Sequence, residues 1–178
     1  MLKTMTSVVA YQVAWCATAY GASHGSPGVG IVACATALGL GLGMADAWKP
    51  LALLALSLGS FGLVAESSML AANLVFYSSP GPLSWVAPLW IVTLWMAFAT
   101  LIHPSMSWLQ GRTVLASFFG AVMAPLSYLA AAKLNALQLL EPAWIGLSAI
   151  AVVWSIAMPC ALFLSATLVS QRSVATPR

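Results

Sequence analysis

Charge is what this sequence has least of. Its 178 residues carry six basic and three acidic side chains, 5 % of the chain, against roughly a quarter in a soluble domain. That scarcity excludes an ordinary water-soluble globule, and the wealth of apolar residues excludes a disordered chain. Histidine is rarer still, at two residues, which excludes the histidine clusters that hold di-iron centres. Cys16, Cys34 and Cys160 have no short metal-ligand spacing and are expected to act as small apolar packing residues. A phosphate-binding glycine loop ending in Lys-Ser/Thr, a Gly-x-Ser-x-Gly elbow and a dinucleotide fingerprint are all missing, so no cofactor and no metal is expected. The net charge of +3 gives no support for a nucleic-acid partner.

Apolar residues make up 62 % of the chain. They fall into six long runs, at about 5–22, 27–45, 51–71, 85–102, 113–132 and 142–169, each of the roughly 20-residue length that crosses a hydrocarbon core. A helix satisfies its own backbone in lipid, and the alternating ten-residue pattern of an outer-membrane barrel is absent. The expected fold class is therefore an all-α membrane protein, a single domain over 1–178 forming a compact bundle of six transmembrane helices. The basic residues orient it. Lys3, Lys49, Arg112, Arg172 and Arg178 fall on one side of such a bundle and Lys133 on the other. Short basic loops stay cytoplasmic, so both termini are expected inside. The first run resembles a signal peptide loosely, but Tyr11, Gln12 and Trp15 interrupt its apolar stretch. Its removal would also set Lys49 and Arg112 against the charge rule, so a retained helix is favoured. The segment between spans three and four, with Ser78-Ser-Pro-Gly-Pro82, reads as turns. Phe76, Tyr77 and Trp85 around it read as interfacial anchors.

Within the spans, Gly39 and Gly43 form a Gly-x-x-x-Gly spacing and Gly59 and Gly62 lie on span three. All are expected to let helices of the bundle approach closely. Pro88, Pro125 and Pro159 are expected to kink spans four, five and six. Aligning the two three-helix halves reveals no internal repeat.

Charge inside a membrane costs about 2.5 to 3.5 kcal/mol per group near the centre, so Glu66 is the first candidate for chemistry. It lies about 24 Å along span three from Pro50 at 1.5 Å per residue. The same arithmetic puts Tyr128 at that depth on span five and Lys133 near the outer surface, with Asn73 and Asn135 slightly further out and His24 in the first outer loop. Either Glu66, Tyr128 and Lys133 line a polar pocket facing outward, with Glu66 as proton acceptor or cation ligand, or Glu66 pairs with Lys133 or Tyr128 and pins span three to span five. Gln12, near the middle of span one, needs a partner and reads more readily as interhelical glue than as a substrate contact. His103, at the cytoplasmic end of span four, is a weaker candidate and reads as a polar cap.

The run Pro88-Leu-Trp-Ile-Val-Thr-Leu-Trp95, then Phe98-Ala-Thr100 with Trp108-Leu109, then Gly120-Ala121 and Pro125-Leu-Ser-Tyr-Leu129 with Lys133, resembles a bacterial inner-membrane family catalogued as domain of unknown function 2878. Gln12 with Trp15, and Glu66-Ser67, match its first-half landmarks, so the resemblance covers essentially the whole chain. It implies a six-span protein of the bacterial inner (plasma) membrane with an acid at Glu66 and a base at Lys133. It assigns no activity. Where the family tends to show Asn-His-Ser this chain has His103-Pro104-Ser105, which puts a catalytic role for His103 in doubt. The family's genes lie beside ones resembling cyclopropane-fatty-acid-synthase-type methyltransferases, which implies a lipid process by association. The expected role is a binding or accessory subunit in a membrane-lipid or lipophilic-substrate process, with membrane lipids, and other membrane subunits, as partners. A proton-coupled transporter using Glu66, a cofactor-free lipid-modifying enzyme and a structural subunit of a larger complex are the alternatives. No catalytic motif decides whether the protein is an enzyme.

Overall fold

A computed structural model describes residues 2–175, with the side chains at 103, 104 and 169–175 outside the description. Six α-helices carry the fold: α1 (Leu2–Ser23), α2 (Gly28–Met44), α3 (Trp48–Ala71), α4 (Leu89–Met106), α5 (Thr113–Lys133) and α6 (Trp144–Ala175). They follow the six apolar runs within a few residues. A short 3₁₀ turn, Ser107–Leu109, follows α4. Three helices are long and apolar enough to cross a membrane, Trp48–Ala71, Thr113–Lys133 and the Trp144–Leu168 part of α6. Gly28–Met44 and Leu89–Ile102 are shorter apolar helices.

The central element is α4, which packs against α1, α2 and α3 and also touches α6. Its residues Trp90, Ile91, Trp95, Ala97, Phe98, Ala99, Leu101 and Ile102 are buried, while the other helices keep large apolar side chains outward, among them Val13, Leu56, Val64, Phe118, Leu126, Val152 and Phe163. α1 pairs with α2, and α5 pairs with α6.

Small residues set several of these contacts, though not all where the spacing suggested. A side chain at Gly62 would run into the Trp95 ring, and one at Gly120 into the Trp154 carbonyl. Gly39 and Gly43 face open space, and it is Gly41 between them that meets Thr100. The Gly-x-x-x-Gly spacing is therefore not a packing face of this bundle. Pro125 and Pro159 lie inside α5 and α6 as expected. Pro88 does not lie inside α4. Its extended backbone, ψ 147°, immediately precedes the helix, a position where a missing N–H costs nothing.

The segment read as plain turns contains a strand. β1 (Val75–Tyr77) pairs antiparallel with β2 (Leu137–Leu139), Phe76 opposite Gln138. Each strand follows a helix closed in the same way. Asn73 and Asn135 adopt the left-handed conformation, φ 56° and 58°, which asparagine tolerates better than most side chains. Asn73 N–H donates to Leu70 and Leu74 N–H to Met69, while Asn135 N–H donates to Ala132 and Ala136 N–H to Ala131. Both are Schellman closures that occupy the last orphan carbonyls of the helix. Ser78 N–H to Ala136 O and Leu140 N–H to Leu74 O extend the ribbon symmetrically. The α3–β1 and α5–β2 units are thus an internal repeat about a local two-fold, and the equivalence carries Glu66 onto Tyr128, 62 residues apart. Comparing spans one to three with spans four to six could not reveal it, because the repeated unit begins at spans three and five.

Candidate functional site

The repeat brings its two equivalent side chains together. Glu66 is fully buried, at 0 % exposure, and the Tyr128 hydroxyl donates to its Oε1. Trp95 Nε1 donates to the same oxygen at 2.7 Å, and the Tyr77 hydroxyl donates to Oε2 at 2.5 Å. A carboxyl group removed from water is tolerable only when its lone pairs are occupied. Three neutral donors from α4, α5 and β1 do this here, and no cation pairs with Glu66 among the described residues. The grouping ties α3 to α4, α5 and the ribbon at one point.

Tyr77 is not the interfacial anchor that its sequence neighbourhood suggested. Alternation in β1 turns Phe76 outward and Tyr77 inward, where its ring meets Trp90 edge-on at 5.3 Å. Burial, and then the adjoining Glu66 carboxylate, push its phenol well above the ordinary range, so it remains a donor at neutral pH. The loop beyond is held by Ser79, whose hydroxyl donates to Ala22 O at 2.7 Å and whose carbonyl accepts Trp90 Nε1 at 2.8 Å. Ala87 N–H donates to Ser67 Oγ.

The other expected site residues part company. Lys133 is exposed in the last turn of α5 and makes no ion pair with Glu66. At this depth its long cationic side chain reaches solvent at less cost than a buried pair would carry. Asn73 is exposed, and its role is the left-handed closure of α3. His103 falls within α4 but its side chain lies outside the described residues. His24 stacks on Tyr20 just after α1 and makes no contact with Glu66. Of the cysteines, Cys34 is buried against Thr18, while Cys16 and Cys160 are exposed. No group of three potential metal ligands exists among the described residues.

Gln12 belongs to a second feature. A cavity of about 440 Å³ lies between α1, α4, α5 and α6. Its walls are mostly aliphatic and aromatic, including Leu94, Phe98, Leu101, Phe119 and Met123, with Gln12, Trp15, Ser127 and Tyr128 as polar points. Aromatic rings form its floor: Trp95 stacks on Trp154 with centroids 4.2 Å apart, Phe98 meets Trp154 edge-on, and Tyr11 meets Phe98 edge-on. α1 does not pack along α5, and Trp15 Nε1 donating to Ser127 Oγ at 3.0 Å bridges the gap between them. Tyr128 lines the cavity with its ring and turns its hydroxyl to Glu66, which is not part of the wall. Glu66 therefore positions the wall without facing what fills the space.

Sequence reasoning missed Tyr77 and Trp95. Rise arithmetic could have found Trp95: it lies about 9 Å along α4 from its N-terminal end, and Glu66 and Tyr128 lie about 8 Å from the C-terminal ends of α3 and α5. Nothing local marked Tyr77, since its direction depends on strand pairing with a segment 60 residues later.

The arrangement defines a class, an all-helical protein with three helices long and apolar enough to cross a membrane and a buried carboxyl clasp beside an apolar cavity. The chain belongs to the family described as "Protein of unknown function (DUF2878)", whose model matches residues 4–160. No curated protein and no solved structure matches it.

Proposed function

We propose that this is a single-domain protein with six membrane spans and both termini cytoplasmic, in the bacterial inner membrane, and that it holds a lipophilic molecule within the bilayer as a binding or accessory component. Two aromatic girdles support the six-span reading. Tyr20, Trp85 and Trp144 are exposed at one end of the bundle and Trp48 and Trp108 at the other, where amphipathic rings favour the two headgroup levels. The outward aliphatic side chains would be solvated by lipid between them.

The observation that carries the binding reading is the cavity. Its volume of about 440 Å³ falls within the range of about 300 to 1,000 Å³ typical of small-molecule sites, and apolar walls with a few polar points are the usual composition. A Glu66-coupled transporter is less well supported, because Glu66 does not reach the cavity and all its bonds are to neutral donors within the fold. The test is native mass spectrometry of the protein released from lipid nanodiscs. A retained lipophilic adduct is expected in the wild type and not in Ala124→Trp, which places an indole in the space. A wild-type protein that never retains an adduct would refute the reading.

A further inference from the structure

The cavity has a length as well as a volume. Along α5 its lining runs from Phe119 to Ala131, about 18 Å at 1.5 Å per residue. Along α4 it runs from Trp90 to Met106, about 24 Å on the same rise. Spread over about 18 to 24 Å, 440 Å³ leaves a mean cross-section of about 18 to 24 Å². That is the girth of one extended hydrocarbon chain and is narrow for a fused-ring skeleton.

Two donors on the wall have no bond within the protein. Gln12 is exposed on α1 and makes no hydrogen bond among the described residues. Trp154 Nε1 is buried without a partner; it lies beside the Tyr128 hydroxyl without reaching bonding geometry. Both residues sit about 15 to 16 Å below the outer ends of their helices, and so at one level of the slot. An indole N–H buried away from water is costly to leave unmet, and an oxygen on an occupant would satisfy it and reach the Gln12 amide. The α1–α5 seam, bridged by Trp15 and Ser127, faces the side of the bundle.

Resting on the lipophilic-ligand reading above, we propose that the occupant is a single long hydrocarbon chain bearing an oxygen acceptor. It enters sideways from the bilayer between α1 and α5 and sets that oxygen at the level of Gln12 and Trp154. Such a chain exists as a free fatty acid and as the acyl arm of a phospholipid, and the two share the apolar chain and an acyl carbonyl oxygen that can accept a hydrogen bond.

The protein in nanodiscs is irradiated with palmitic acid carrying a mid-chain diazirine, with a phosphatidylglycerol bearing the same chain, or with a photoreactive sterol, and the labelled peptides are mapped. Labelling of the α1 and α5 lining by either chain probe is expected to exceed sterol labelling at least fivefold, and the stronger chain probe identifies the source. Ala124→Trp is expected to abolish it, with Ala131→Phe nearer the outer end as a second block should the first variant fail to fold. Gln12→Leu is expected to lower labelling about fivefold, the loss of one ordinary hydrogen bond. Sterol labelling equal to the chain probes, lost in the blocked variants, would overturn the chain-shaped occupant while leaving the lipophilic cavity intact. Labelling by no probe would overturn both. Undiminished labelling of Gln12→Leu would overturn the placement of the oxygen.

Discussion

If Glu66 is the acceptor that three separate elements require, then removing the acceptor must make its donors worthless. Tyr77→Phe is the cleanest probe, because Tyr77 touches Glu66 but is not on the cavity wall. A bond to a carboxylate contributes about 1.5 to 3 kcal/mol, and a chain of this size moves its melting temperature by about 2 to 4 °C per kcal/mol. Tyr77→Phe should therefore lower the melting temperature by about 3 to 12 °C, read by tryptophan fluorescence in mild detergent. Glu66→Leu orphans Tyr77, Tyr128 and Trp95 together and should cost about 3 to 6 kcal/mol. In the Glu66→Leu background, Tyr77→Phe removes an already orphaned hydroxyl and should cost nothing or stabilise slightly. The cycle should thus show a coupling of at least about 1.5 kcal/mol. Glu66→Gln keeps an acceptor for Trp95 and Tyr128 and offers its N–H to the Tyr77 oxygen, so it should be milder than Glu66→Leu. Equal effects of Tyr77→Phe in both backgrounds would refute the clasp.

Replacing Asn73 or Asn135 by Ala keeps the β-carbon in the left-handed turn but removes the short polar side chain that makes it tolerable, and should cost about 1 kcal/mol each, whereas Gly at either position should be neutral or slightly stabilising; thermal melts compare them, and equal losses would contradict the closure role. Gly62→Leu drives a side chain into the Trp95 ring and should prevent a monodisperse, cooperatively melting protein from forming, as judged by size-exclusion chromatography. Trp15→Phe keeps the ring but loses the bond to Ser127, at about 0.5 to 1.5 kcal/mol. It should speed labelling by the palmitic acid probe in a time course; an unchanged rate would show that the seam is not the way in. Reporter fusions at the two ends should both read cytoplasmic, and opposite readings would remove the six-span topology.

The residues differ in how far each could be read before folding. Glu66 stood out because a carboxylate in an apolar run demands an explanation, and Tyr128 because equal distance along a parallel helix gives equal depth. Lys133 entered by the same arithmetic yet lies outside the cluster, since depth says nothing about which way a side chain points around the helix. Gln12 was marked as an amide in need of a partner; that it faces a cavity depends on α1 standing clear of α5. Pro88 was misplaced because an apolar run continues through it, although its fixed geometry suits a helix start.

Six helices in this order were legible from composition and run length alone, because an apolar stretch with few polar side chains has chiefly its own backbone to bond with. Burial of Tyr77, the donation by Trp95, the Glu66–Tyr128 equivalence and the slot beside them were decided only by tertiary structure. They arise from a three-residue strand meeting its counterpart and from helices approaching over glycine, contacts between residues far apart in the chain that no local pattern encodes.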